Sequence, residues 1–307
     1  MTAMLNRCEL CLPADNRRMA EKAATLDVDG VVLDLEDAVA PSAKAEARQQ
    51  AVHALTNLNW GHRTRAVRIN ALDTPWAYED IIEIAERAYA SLDVIVMPKP
   101  KTPADVLFVD TLLKQIEMKL GVAPTVRLEV MIEEVEALIN VNEIAACSPR
   151  IRALTLGMGD LAASQGMRSK DPRIEEVLPG GLWQYHRNRV AGAARAAGIE
   201  AIDGPFGRFT DPEAYRTECT RAYLAGFSGK WAIHPSQIDI AEAIFTPPAE
   251  EIDRARRMAT AYAEAHAQGL GAIAFEGTLV DVASVRMVQH LLDIGDLLDA
   301  RRARADA

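Results

Sequence analysis

Short apolar runs recur along the chain, and between them lie longer stretches whose apolar residues return every three or four positions. The runs at residues 8–12, 30–35, 64–69, 94–97, 126–132, 151–156, 200–202 and 229–233 predict strands. Amphipathic stretches at 16–26, 42–58, 76–90 and 102–120 predict helices between the first five. After the sixth strand come helical patterns at 181–197 and 211–225, and Pro235 closes the eighth strand before another. Eight strands alternating with helices predict an α/β fold of the TIM (β/α)8 barrel type. A doubly wound sheet is the alternative, but no G-x-G-x-x-G follows the first strand. No internal repeat or low-complexity segment interrupts the alternation.

From about Pro247 the pattern changes. A helical stretch at 250–268 leads into a glycine-bearing connection, GLGAIAFEGTLVD, and a second helix at 282–300. This material exceeds eight βα units. The chain is therefore expected to divide into a barrel, residues 1–246, and a C-terminal helical extension, residues 247–307, that caps the barrel or reaches a neighbouring subunit.

Composition narrows the functional classes. The 307 residues are 49% hydrophobic and 25% charged, ordinary for a globular enzyme, and the length suits a single barrel. A formal charge of -10 without an offsetting basic stretch argues against a general nucleic-acid binder. It leaves room for an anionic ligand held by a few local cations. No apolar run approaches the ~20 residues that span a bilayer. The start, MTAMLNRCEL, meets charge and cysteine before any leader-like core, so a cytoplasmic location is expected. Cys8 and Cys11 form a C-x2-C, but a strand turns them to opposite faces, and no second ligand pair follows. Two buried thiols are the expectation there.

In a TIM barrel the chemistry sits where strands end on the C-terminal face. The second strand ends in Asp34, Glu36 and Asp37, the third near Arg68, the fourth before Lys99, and the sixth before Asp160. The fifth carries Glu129 and Glu133, which share a face if Val130 and Ile132 point outward. Glu133 and Asp160, on adjacent strand ends, suit one hard cation such as magnesium, which needs only one or two carboxylates besides water and substrate oxygens. Taken singly, Asp160 reads as a helix N-cap and Glu133 as a surface glutamate at a helix start. Arg68 follows an apolar run and demands an anionic partner. A salt bridge to Glu36 or Asp37 would satisfy it, and so would a substrate carboxylate or an enolate oxygen. Lys44 and Arg48 stand one helical turn apart, where they either meet phosphates or form a solvated face. His234 reads as a structural loop histidine.

Read in order, VVLDLEDAVAPSAKAEAR (31–48), RINALDTPW (68–76), VIVMPKP (94–100), MIEE (131–134), LTLGMGDLAAS (154–164), DGPFGRF (203–209), GKWAIHPSQI (229–238) and GTLVDVASVR (277–286) resemble the citrate lyase β-subunit and malyl-CoA lyase family, within the HpcH/HpaI aldolase superfamily. The resemblance covers nearly the whole chain and leans towards its malyl-CoA and methylmalyl-CoA branch. It implies that Glu133 and Asp160 bind magnesium, with manganese as the alternative ion, and that Arg68 binds the oxoacid and stabilises an enolate. It implies that Glu36 and Asp37 orient the arginine and the metal waters. It further implies that Lys99 lies near the site and that Lys44 and Arg48 contact CoA phosphates. Asp281 is implied to be an acid/base donated by a neighbouring subunit of a homotrimer or hexamer. Two departures stand out. Pro13-Ala14 replaces a Pro-Gly turn, where alanine tolerates positive φ poorly, and MIEE adds Glu134 beside a metal ligand.

The implied reaction is magnesium-dependent retro-Claisen cleavage of a 3-hydroxyacyl-CoA (malyl-, methylmalyl- or citramalyl-CoA) into an acyl-CoA and a 2-oxoacid. The alternatives are thioester hydrolysis at the same site, or a citrate lyase-like subunit acting with an acyl-carrier partner.

Overall fold

The protein is described by a computed structural model covering residues 4–168 and 181–305. Eight strands close into a parallel barrel: β1 (Cys8–Pro13), β2 (Gly30–Asp34), β3 (Thr64–Arg68), β4 (Val94–Met97), β5 (Arg127–Ile132), β6 (Ile151–Leu156), β7 (Glu200–Asp203) and β8 (Gly229–Ala232). Each pairs in parallel with its sequence neighbour, and β8 pairs with β1 to complete the ring. The observed strands match the expected ones to within two residues at each end, as do the main helices except at the start of the helix Gln184–Ala197 and the ends of the helices Arg17–Ala23 and Val282–Ala305.

Alternation along each strand makes two apolar layers. Leu10, Val31, Leu33, Val67, Ile95, Val130 and Ile132 face outward into the packing between strands and helices. Cys11, Val32, Ala66, Val96, Met131 and Trp231 fill the lumen. Cys8 and Cys11 fall in different layers as free buried thiols, as strand geometry requires. Because Val130 and Ile132 face outward, Glu129 and Glu133 share the inward parity. That same parity carries Asp34 and Arg68 up to the C-terminal rim.

Residues Asn6–Phe245 form one compact unit. A second is built from Thr246–Ala307 with the first residues of the chain. In it the helices Ala249–Ala267 and Val282–Ala305 bury Ile252, Ile294 and Leu298 against each other, with Leu5 packed alongside. The connection expected there is in fact an antiparallel hairpin, β9 (Ala272–Phe275) and β10 (Thr278–Asp281). Its turn takes positive φ at both Glu276 (47°) and Gly277 (79°), the requirement of a tight two-residue hairpin. Among the described residues no helix is long and apolar enough to cross a membrane.

Candidate active site

Strand register creates the centre of the site. Asp34 and Arg68 are Cα partners across β2 and β3. The guanidinium donates from Nε and Nη2 to Asp34 Oδ1 and Oδ2, at 2.7 and 2.6 Å. Asp34 is fully buried and also accepts from the backbone N–H groups of Glu36 (2.9 Å) and Ala38 (3.2 Å). Burial works against the Arg68 charge, but the hydrogen bonds to Asp34 more than offset it and push the guanidinium above its usual range. The Trp231 ring centroid lies 5.6 Å from the guanidinium carbon. Of the two partners expected for Arg68, only Glu36 reaches it, with Oε2 at 3.1 Å from Nη1. Asp37 instead meets Lys99, and the dominant partner, Asp34, went unassigned in the sequence.

Glu36 spans two cations. Its Oε1 accepts from Lys99 Nζ at 2.8 Å, while its Oε2 is buried and makes no hydrogen bond among the described residues. Burial raises its carboxyl despite Arg68 and Lys99. Lys99 Nζ also reaches both Asp37 oxygens at 3.2 Å and lies 3.7 Å from Asp160 Oδ1. The Lys99 N–H donates to Glu133 Oε1 at 3.0 Å. Glu133 is thus no surface residue. It is buried, and its carboxyl is pushed up to about 8 by that burial and by the neighbouring carboxylates of Glu36 and Asp160. Nor is Asp160 a cap. Gly157 occupies that place, and Asp160 lies in the first turn of the helix Met158–Ser164, where the helix dipole favours its charge.

These groups suit a hard divalent cation. They offer only carboxylate oxygens, one of which (Glu36 Oε2) is buried without a hydrogen bond, and Glu133 sits in a field of negative charge. Gly157 is bare because Glu133 fills the space beside it; a methyl group there would lie 2.5 Å from Glu133 Cβ and closer still to Oε2. Among the described residues no group of three or more His, Cys, Asp and Glu side chains is arranged to hold a metal ion, so a cation here would rest on fewer protein ligands.

The remaining candidates separate from this centre. Lys44 is buried, its ammonium donating to the carbonyls of Leu35 and Glu36 at 2.7 Å each. Arg48 is buried against Asp80 Oδ1 (3.0 Å), Glu79 (3.1 Å) and Glu83 (3.0 Å). Neither forms the solvated face that the spacing suggested, and both spend their charge inside the protein. Glu129 lies within the lumen, bonded by Arg152, Thr155 and Trp231. The His234 ring accepts from the Ser236 N–H at 3.2 Å and stacks on Phe209, a structural loop role. In the C-terminal unit Asp281 accepts from the N–H and hydroxyl of Ser284, which holds its carboxyl below the usual range.

The two sequence departures resolve simply. Ala14 needs no positive φ, since among the described non-glycine residues only Lys99 and Glu276 adopt it. Its N–H donates to Asp34 O at 2.9 Å. Glu134 turns away from Glu133 and accepts from Ser164 Oγ at 2.8 Å.

The HpcH/HpaI aldolase/citrate lyase family model matches residues 7–235, about three quarters of the chain. The chain belongs to this family. Within it, the L-malyl-CoA/beta-methylmalyl-CoA lyase of Rhodobacter capsulatus is 40% identical over 300 residues, 94% of each chain. A (3S)-malyl-CoA thioesterase of Cereibacter sphaeroides is 34% identical over 297 residues, 97% of each chain. The structure of the protein CitE from Mycobacterium tuberculosis, in complex with magnesium, acetoacetate and coenzyme A, superposes with a TM-score of 0.70 at 28% identity. That match covers 94% of this chain and 97% of the other.

Proposed function

We propose that this chain cleaves a 3-hydroxyacyl-CoA thioester of the malyl-CoA class into an acyl-CoA and a 2-oxoacid, with magnesium as its cofactor. The observation that carries the reading is Arg68, locked in a two-bond fork with Asp34, beside the carboxylates of Glu133, Asp160 and Glu36. The 40% identity to a lyase of that name supports the substrate class.

Glu133 and Asp160 hold the metal, with manganese as the alternative ion. Bound there, the cation supplies Lewis-acid polarisation of the substrate's oxygens. As the C2–C3 bond breaks, the substrate hydroxyl passes its proton to water, its O–H electron pair forms the carbonyl of the 2-oxoacid, and the C2–C3 pair becomes a thioester enolate. Arg68 faces that developing charge with a guanidinium already fixed by Asp34, so it pays no reorganisation when the charge appears. Glu36 positions Arg68 through its Oε2. In the metal-free site its Oε1 holds Lys99, with Asp37 on the solvent side. The enolate carbon takes its proton from Asp281, which we assign to the C-terminal extension of a neighbouring copy in a cytoplasmic homotrimer or hexamer.

Hydrolysis at the same site is the second reading, favoured by the 34% identity to a malyl-CoA thioesterase. The test is to incubate the purified chain with malyl-CoA and magnesium, with and without chelator, and identify the products by mass spectrometry. Acetyl-CoA plus glyoxylate, abolished by the chelator, is expected; Asp281→Asn should lower that turnover by about 100-fold or more. Free CoA plus malate would replace the lyase with a hydrolase. Full activity after exhaustive chelation would remove the metal from the scheme. No turnover of free thioesters would direct the search to an acyl-carrier partner.

A further inference from the structure

Lys99 lies between Pro98 and Pro100 and holds φ at 50°, a left-handed conformation unfavourable for a side chain and more so before proline. Glu276, the other described non-glycine residue at positive φ, has a hairpin turn to require it. No hairpin requires it of Lys99. What over-determines the Lys99 backbone is the site itself: its N–H is bound to Glu133 and its ammonium to Glu36 and Asp37, with Asp160 at 3.7 Å. A lysine ammonium is a compact point charge with three donors, whereas arginine is a planar fork. It stands among the same oxygens that a hard cation would use.

We propose that Lys99 is a tethered counter-ion of the metal site, holding Glu36, Asp37 and Asp160 together until a divalent cation binds and giving them up when it does. The inference rests on the magnesium reading above. Without any cation, four carboxylates from the ends of β2, β5 and β6 would repel one another around a partly buried rim. Lys99 answers that repulsion from within the chain. A divalent cation held by Asp160 and Glu133 stands next to the Lys99 ammonium, which lies 3.7 Å from Asp160, and repels it, so metal binding costs Lys99 these bonds. Its side chain is 22% exposed and has solvent to turn into.

The experiment compares the full-length wild type with Lys99→Met and Lys99→Gly. The glycine variant removes the ammonium and also relieves the backbone, which covers a failure of the methionine variant to fold. Magnesium affinity is read by calorimetry, manganese affinity by the free-ion electron paramagnetic resonance signal, and unfolding temperature with and without saturating magnesium. Removing a competing charged donor should tighten metal binding by about 10- to 100-fold. For Lys99→Met, the metal-free protein should melt lower than wild type while the magnesium-saturated proteins melt together, because the metal-bound wild type no longer uses these contacts. Unchanged or weaker affinity, or an equal loss of melting temperature with and without metal, would overturn the proposal and leave the magnesium reading standing. Absence of metal binding by wild type and variants alike would overturn the magnesium reading and this inference with it.

Discussion

At the scale of single residues, Gly157 and Glu133 act as a pair. The glycine lacks a side chain because the buried glutamate occupies that volume, and Glu133 in turn reaches the Lys99 N–H. Gly157→Ala should therefore displace Glu133 without unfolding the barrel. We expect a stability cost of about 1–3 kcal/mol, typical of overpacking. We expect magnesium to bind roughly 10-fold more weakly, a loss of about 1.4 kcal/mol. Thermal unfolding and calorimetric titration check the two effects separately. Undiminished metal affinity would remove Glu133 from the ligand set.

At the scale of elements, the turn from β2 into the helix Lys44–Asn57 is held from inside. Lys44 reaches back to the carbonyls of Leu35 and Glu36, and one helical turn later Arg48 binds Asp80, whose Oδ2 accepts from the N–H and side-chain amide of Asn70. One buried network thus ties the loop after β2 to the loop after β3, and these loops carry Glu36 and follow Arg68. Lys44→Met leaves the Leu35 carbonyl without its donor, while the Glu36 carbonyl keeps the Val39 N–H, and should cost about 1–3 kcal/mol of stability. The Michaelis constant for the CoA thioester should change much less than 10-fold. The opposite result, intact stability with a 10-fold rise in that constant, would restore the phosphate contact expected from the sequence.

At the scale of the whole barrel, four strands meet in the lumen through charge. Glu9 of β1 and Glu129 of β5 share Arg152 of β6, and Trp231 of β8 donates to both carboxylates. Burial, then the charge of Glu129, push the Glu9 carboxyl up to about 8, with Arg152 opposing. A raised carboxyl favours folding while it stays protonated, and that contribution is lost as pH rises from the ordinary glutamate range through about 8. Glu9→Gln mimics the protonated form. Its melting temperature should gain on wild type as pH rises from 6 to 9, with little difference at the acid end. A constant offset across that range would mean Glu9 is already ionised in the folded protein.

The barrel was legible because strand and helix periods are local and repeat eight times. The rim candidates were legible too, because in a barrel a strand's end is also its place in the site. Arg68, Glu36, Lys99, Glu133 and Asp160 do converge, from the ends of five strands. Pairing was not legible. Asp34 was passed over for Glu36 and Asp37 because the partner of Arg68 is set by the register of β2 against β3, a relation between segments over thirty residues apart. Lys44 and Arg48 read as CoA phosphate contacts or a solvated face because their spacing cannot say which side of the helix meets the barrel. The hairpin at Ala272–Asp281 looked like a connection because its glycines and short runs carry a weak signal. The sequence by itself determined which residues alternate and where strands end, since those depend on near neighbours. Only the tertiary structure decided which charges neutralise which, because burial and distance between remote segments set the strength of every such pair.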